Sequence, residues 1–200
     1  MDVKRDRAML GAAALLCSLF PLPAAAHLNP SGMGPVYDGL LHFCLSPEDV
    51  VPVVALSLYA GLRGPQYGRR TLFLLPASWF VGCWLGTWFQ WTPSWPVSAI
   101  GFLVFGGLVA TNAQWSLSTM TALVALLGLT YGCMDAAGMR WSFSLIAVYA
   151  GLVGAVFVLV ALVSALVIKL QPPWTRIAVR VVGSWIVASG LLLLGWAART

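Results

Sequence analysis

The stretch Ser142–Ile168, SFSLIAVYAGLVGAVFVLVALVSALVI, runs for 27 residues without an acid, a base or a proline. An α-helix rises about 1.5 Å per residue, so this run is long enough to cross a hydrocarbon core of about 30 Å. A helix apolar on every side needs an apolar solvent around it, and lipid supplies one.

Working outward, five more apolar runs repeat the pattern: Asp49–Leu62, Thr71–Phe89, Val97–Thr111, Leu117–Cys133 and Ile177–Ala197. The expected fold class is therefore all-α, a polytopic membrane helix bundle of about six transmembrane helices. Asp49–Leu62 is short for a span, so Val36–Leu45 is expected to form a short amphipathic or re-entrant helix beside it. Ser46-Pro47-Glu48-Asp49 reads as a helix start, with serine as the N-cap, proline in the first position and acids in the first turn. The whole composition agrees. Hydrophobic residues make up 60% of the chain and charged ones 8%, and mean hydropathy is +0.88. A soluble domain of this size exposes too much surface to hide so much apolar area.

The N-terminus has a different character. A charged start, Asp2-Val-Lys-Arg-Asp-Arg7, precedes an apolar run from Ala8 to Phe20, then Pro21, Pro23 and Ala24-Ala25-Ala26. The run is too short to span, and the small residues after it suit a signal peptidase. Residues 1–26 are expected to be a cleaved signal peptide, with His27 as the mature N-terminus. Residues 27–46 then form an outer-side segment and 47–200 the six-span bundle.

The formal charge of +5 does not point to nucleic acid, because no basic stripe interleaves with aromatics. The bases sit instead at the ends of apolar runs. With the mature N-terminus periplasmic, Arg63, Arg69, Arg70, Lys169, Arg176 and Arg180 fall on the cytoplasmic side and only Arg140 and Arg199 fall outside. This satisfies the positive-inside rule for a bacterial inner-membrane protein. Trp91, Trp95, Trp115, Trp141 and Trp174 lie near run ends, where an aromatic belt belongs. The pairs Gly82/Gly86 and Gly128/Gly132, with Gly151 and Gly154, are read as close packing between helices.

The same orientation puts Asp38, Glu48, Asp49, Asp135, His27 and His42 on one side, the outer one. Ionisable groups at a membrane are costly and mark ion pathways. Imidazole with carboxylate suits nickel, cobalt or zinc, while the nearby Cys44, Cys133, Met33, Met134 and Met139 would favour copper(I). Asp38 and His42 are four residues apart and share a helix face. The ordinary alternatives are specific too. Glu48 and Asp49 can serve a helix dipole, Asp135 can pair with Arg140, and His42 can bond a carbonyl. Of the cysteines, Cys17 lies in the signal peptide, and the three that remain form no CxxC, so neither a disulfide framework nor a zinc knuckle is expected. No GxSxG, HExxH or P-loop occurs, so no enzyme is expected and no tightly bound cofactor.

The succession of His27, the turn Ser31-Gly-Met-Gly34, Tyr37-Asp-Gly-Leu-Leu-His42, Asp49 and Tyr59-Ala-Gly-Leu62 resembles the HupE/UreJ family of hydrogenase and urease accessory membrane proteins. The resemblance implies a six-span permease for nickel or a related metal. It also implies His42 and Asp49 as family site residues, and metalloenzyme maturation proteins as partners. Two positions depart from the family pattern. Val50 stands where a second histidine commonly follows the acid, and Gly132-Cys-Met-Asp135-Ala136 stands where Gly-x-x-His-Gly is common. A carboxylate in place of imidazole hardens the ligand set and alters which metal it prefers. The expected function is transition-metal uptake, nickel first with cobalt or copper as alternatives, through an outward-facing site of His42 and Asp38 assisted by Asp49, Asp135 and His27. The rival is a non-transporting accessory protein, favoured by the scarcity of polar residues at mid-span.

Overall fold

The computed structural model describes residues 32–91, 96–170 and 172–199. The expected signal peptide, His27 and Trp95 lie outside the described residues. Seven helices follow in order: α1 (Pro35–Leu45), α2 (Pro47–Arg63), α3 (Pro65–Phe89), α4 (Val97–Thr111), α5 (Leu117–Asp135), α6 (Phe143–Lys169) and α7 (Pro173–Ala197). No strand occurs among the described residues.

Helices α3, α5, α6 and α7 are each long and apolar enough to cross a membrane. Helices α1 and α2 meet the same test as a pair, bent by 76° at their junction, while α4 is apolar but has only 15 residues. Each of the six apolar runs from Asp49 onward is thus a helix. Two begin earlier than their apolar part. Helix α3 starts at Pro65 because Gly64, at φ +106°, turns the chain and proline in the first position needs no partner for its missing N–H. Helix α7 starts at Pro173 on the same principle.

Ser46 departs from the expected capping role, since its side chain makes no cap to the first turn of α2. The Ser46 backbone N–H turns to the Phe43 carbonyl at 3.1 Å. This leaves the carbonyl of His42 to accept the Ser46 hydroxyl at 2.7 Å. Ser46 therefore closes the end of α1 and fixes the bend, while Pro47 opens α2.

Glycine decides which helices pair. Helix α3 packs most closely on α5, α4 on α7 and α1 on α6, with α2 between α3, α4 and α6. At the α3–α5 crossing, a Cβ on Gly82 would meet the Leu129 carbonyl, and one on Gly86 would meet the backbone of Cys133. From the other side, Gly128 lies against Ser78 and Leu75, and Gly132 against the backbone of Trp79 and Cys83. In lipid, where apolar contact gains nothing over the solvent, such backbone approach is the main route to helix association. Gly151 of α6 meets Val36 of α1 in the same way, but Gly154 faces open space.

The charges divide between the two ends. Arg63, Arg69, Arg70, Lys169, Arg176 and Arg180 lie around the α2–α3 and α6–α7 turns and the α4–α5 loop. That loop is tied down there by Tyr59 (hydroxyl to Ala113 O, 2.7 Å) and Tyr67 (hydroxyl to Trp115 O, 3.0 Å), and Arg180 holds the last turn of α4 (Nε to Ala110 O, 2.9 Å). The carboxylates gather at the opposite end.

Candidate metal centre

Three elements meet at the acidic end. The α1–α2 bend carries His42 near the end of one helix and Asp49 in the first turn of the next. Helix α5 ends at Asp135, and the glycine-mediated approach of α5 to α3 brings that end against Trp79. One ligand atom from each of His42, Asp49 and Asp135 lies within 4.8 Å of the other two. His42 Nε2 stands 3.8 Å from Asp135 Oδ1, and these two side chains are only 12% and 6% exposed. Asp49 is buried, at 6% exposure.

Trp79 orients the cluster. Its indole N–H donates to Asp135 Oδ2 at 2.8 Å, which leaves Oδ1 as the oxygen turned to His42. The indole is itself fixed edge-on to Phe43, at 5.9 Å between ring centroids, and against Tyr131 at 5.8 Å. Such an outer partner sets the direction of a metal-binding carboxylate. Trp79 is completely buried in mid-helix, not at a span end where tryptophans usually sit, and that position is the one sequence signal that it has another task.

Geometry and charge both favour a cation. Metal bonds to nitrogen or oxygen of about 2.0–2.2 Å put ligand atoms roughly 3 Å apart when adjacent and roughly 4 Å apart when opposite. The observed spacing is close to that range. Two carboxylates and one imidazole make an acid-rich donor set in a place poor in water, and a divalent ion would satisfy its open acceptor sites. One imidazole with two carboxylates is a harder set than histidines alone.

Among the residues expected from sequence, the structure brings together His42, Asp49 and Asp135. Asp38 shares the helix of His42 but is not a member of the group. His27 lies outside the described residues. Asp135 engages Trp79 and His42, and the alternative pairing with Arg140 is not formed among the described residues. Cys44 is exposed and Cys133 partly so, and neither belongs to the group.

Inward of the cluster the packing closes. Val53 and Leu56 on α2 and Leu75 on α3 are fully buried. Both helices carry an internal proline at this depth, Pro52 one turn beyond Asp49 and Pro76 one turn before Trp79. Each removes a backbone hydrogen bond and weakens its helix locally.

No curated protein and no solved structure matched the chain. The profile of one protein family, described as HupE / UreJ protein, matches residues 15–193. That match covers most of the chain, and with a helical bundle apolar enough for lipid the chain belongs to the HupE/UreJ family.

Proposed function

We propose that the protein is a metal-ion uptake permease of the inner membrane, nickel first with cobalt or copper as alternatives, and that His42, Asp49 and Asp135 form its outward-facing entry site. The observation that carries this reading is the convergence of those three side chains from three helices onto one point. In this reading residues 1–26 are removed as a signal peptide and the mature N-terminus is periplasmic. The bundle makes six passages, with the α1–α2 pair counted as one and α4 as a short one. At about 1.5 Å per residue the 15 residues of α4 extend roughly 22 Å, so the bilayer is thinned there or α4 lies partly at the interface.

The carboxylates concentrate cations at the outer face. The ion exchanges part of its water for imidazole and carboxylate oxygen, and Trp79 keeps Asp135 in place without ligating it. Passage inward requires the layer of Val53, Leu56 and Leu75 to part. Pro52 and Pro76, where both helix ladders are already interrupted, are the places for α2 and α3 to bend. No enzyme chemistry is assigned.

The closed layer also favours a second reading, in which the protein holds the ion for metalloenzyme maturation without moving it across. Uptake of radiolabelled nickel by cells expressing the chain, with cobalt and copper as competitors, separates the two. A permease gives uptake above empty-vector cells that is lost in His42→Ala and Asp135→Asn. Background uptake, with purified protein that still binds nickel, leaves the accessory role. Background uptake with no binding to protein present in the membrane contradicts both.

A further inference from the structure

The end of the bundle away from the metal cluster contains a cavity of about 230 Å³, several times the ~30 Å³ share of a water molecule in the liquid. Gly61 and Gly64 from the α2–α3 turn, Val167 and Leu170 from the end of α6, and Thr175 and Arg176 from the first turns of α7 line it. Thr175 is 4% exposed, and its hydroxyl has no hydrogen-bond partner. Buried polar groups in folded chains are almost always satisfied, so an unpartnered hydroxyl on the wall of a cavity calls for an acceptor from outside the chain.

The local field selects the charge of that acceptor. Helices α3 and α7 both begin here, each with proline in the first turn and no side-chain cap, so their positive dipole ends face this region; the Thr175 N–H is held by the Pro172 carbonyl at 3.0 Å, and the Thr175 hydroxyl is the free donor. Helices α2 and α6 also end here, and the Gly64 N–H (to the Ala60 and Gly61 carbonyls) and Leu170 N–H (to the Leu166 carbonyl) satisfy part of their final turns. The four described acids, Asp38, Glu48, Asp49 and Asp135, belong to the acidic end, while Arg176 lines the cavity and Arg63 and Lys169 are chain neighbours of lining residues.

We propose that this cavity binds a phosphate group, supplied by the headgroup of an anionic phospholipid or by free inorganic phosphate. The Thr175 hydroxyl and the Arg176 guanidinium donate to its oxygens at the positive end of α7. A phosphate held there joins the α2–α3 turn to the α6–α7 connection, at the opposite end of α2 from Asp49.

Native mass spectrometry of the full-length protein, delipidated in detergent, tests this by titration with phosphatidylglycerol, phosphatidylcholine and inorganic phosphate. Phosphatidylglycerol is expected to bind about tenfold more tightly than phosphatidylcholine, and about tenfold more weakly in both Thr175→Val and Arg176→Gln. Valine matches threonine in shape, and Arg176 is exposed, so its replacement leaves the packing intact. Arg69→Gln, at the same end but away from the cavity, should stay within about twofold. Inorganic phosphate that binds and displaces the lipid one for one, with the same sensitivity to both variants, identifies free phosphate as the source. Failure to displace it identifies the headgroup. Binding of neither ligand, no preference over phosphatidylcholine, or affinity unchanged in both variants overturns the proposal.

Discussion

The two ends of the bundle carry ionisable side chains to opposite purpose. At the basic end six lysines and arginines are spread over two turns and a loop. Three of them hold neighbouring groups singly: Arg70 the Thr121 hydroxyl at 3.1 Å, Arg180 a carbonyl, and Arg63 the face of Tyr67. At the acidic end two carboxylates and an imidazole from three helices converge on one point, with a buried indole steering one of them. Dispersed charge at a membrane surface orients a protein. Converged and desolvated charge is expensive to assemble, and its cost makes sense when an ion completes it.

That contrast can be broken most severely through the helix approach that creates the convergence. Gly132→Leu places a side chain against the Trp79 and Cys83 backbone, and we expect it to abolish folded protein in the membrane, as judged by yield and detergent-resistant elution. Gly154→Leu, facing open space, should express as wild type. Normal behaviour of Gly132→Leu would mean that α3 and α5 do not meet as described. Next come the ligands. Asp135→Asn keeps the shape and the Trp79 contact but removes the charge, and should weaken nickel binding by at least about a hundredfold in calorimetric titration. A smaller loss is expected from Trp79→Phe, about tenfold, since it frees Asp135 to rotate without removing a ligand. A Trp79→Phe protein that binds as tightly as wild type would leave the indole a packing role only. The smallest effect belongs to the basic end, where Arg69→Gln should change nickel affinity by no more than about twofold at moderate salt.

Much of the fold could be read from the chain. The apolar runs became helices because a length and a lack of charge are properties of contiguous sequence. The boundaries that moved did so where proline and glycine extend a helix into polar residues, as at Gly64-Pro65 and Pro173. Three of the expected residues, His42, Asp49 and Asp135, come together in the cluster, but Asp38 does not, and the grouping itself was not legible. Asp38 and His42 share a face of α1, yet sharing a face does not determine which side chain meets a third helix. That depends on where α5 ends against α3, a contact between residues far apart in sequence. Asp49 looked like an ordinary first-turn acid, and only the 76° bend before it turns it toward His42 and Asp135. Trp79 carried no local motif. Its hydrogen bond spans 56 positions and is set by the glycines that let the two helices touch.

In the proposed site His42, Asp49 and Asp135 hold one ion together. Nickel-edge X-ray absorption on the purified, nickel-loaded protein tests it directly. The account predicts a first shell of nitrogen and oxygen with an imidazole signature that disappears in His42→Ala, and a loss of bound nickel in Asp135→Asn. A sulfur scatterer in the first shell, or an imidazole signature that survives His42→Ala, would contradict it.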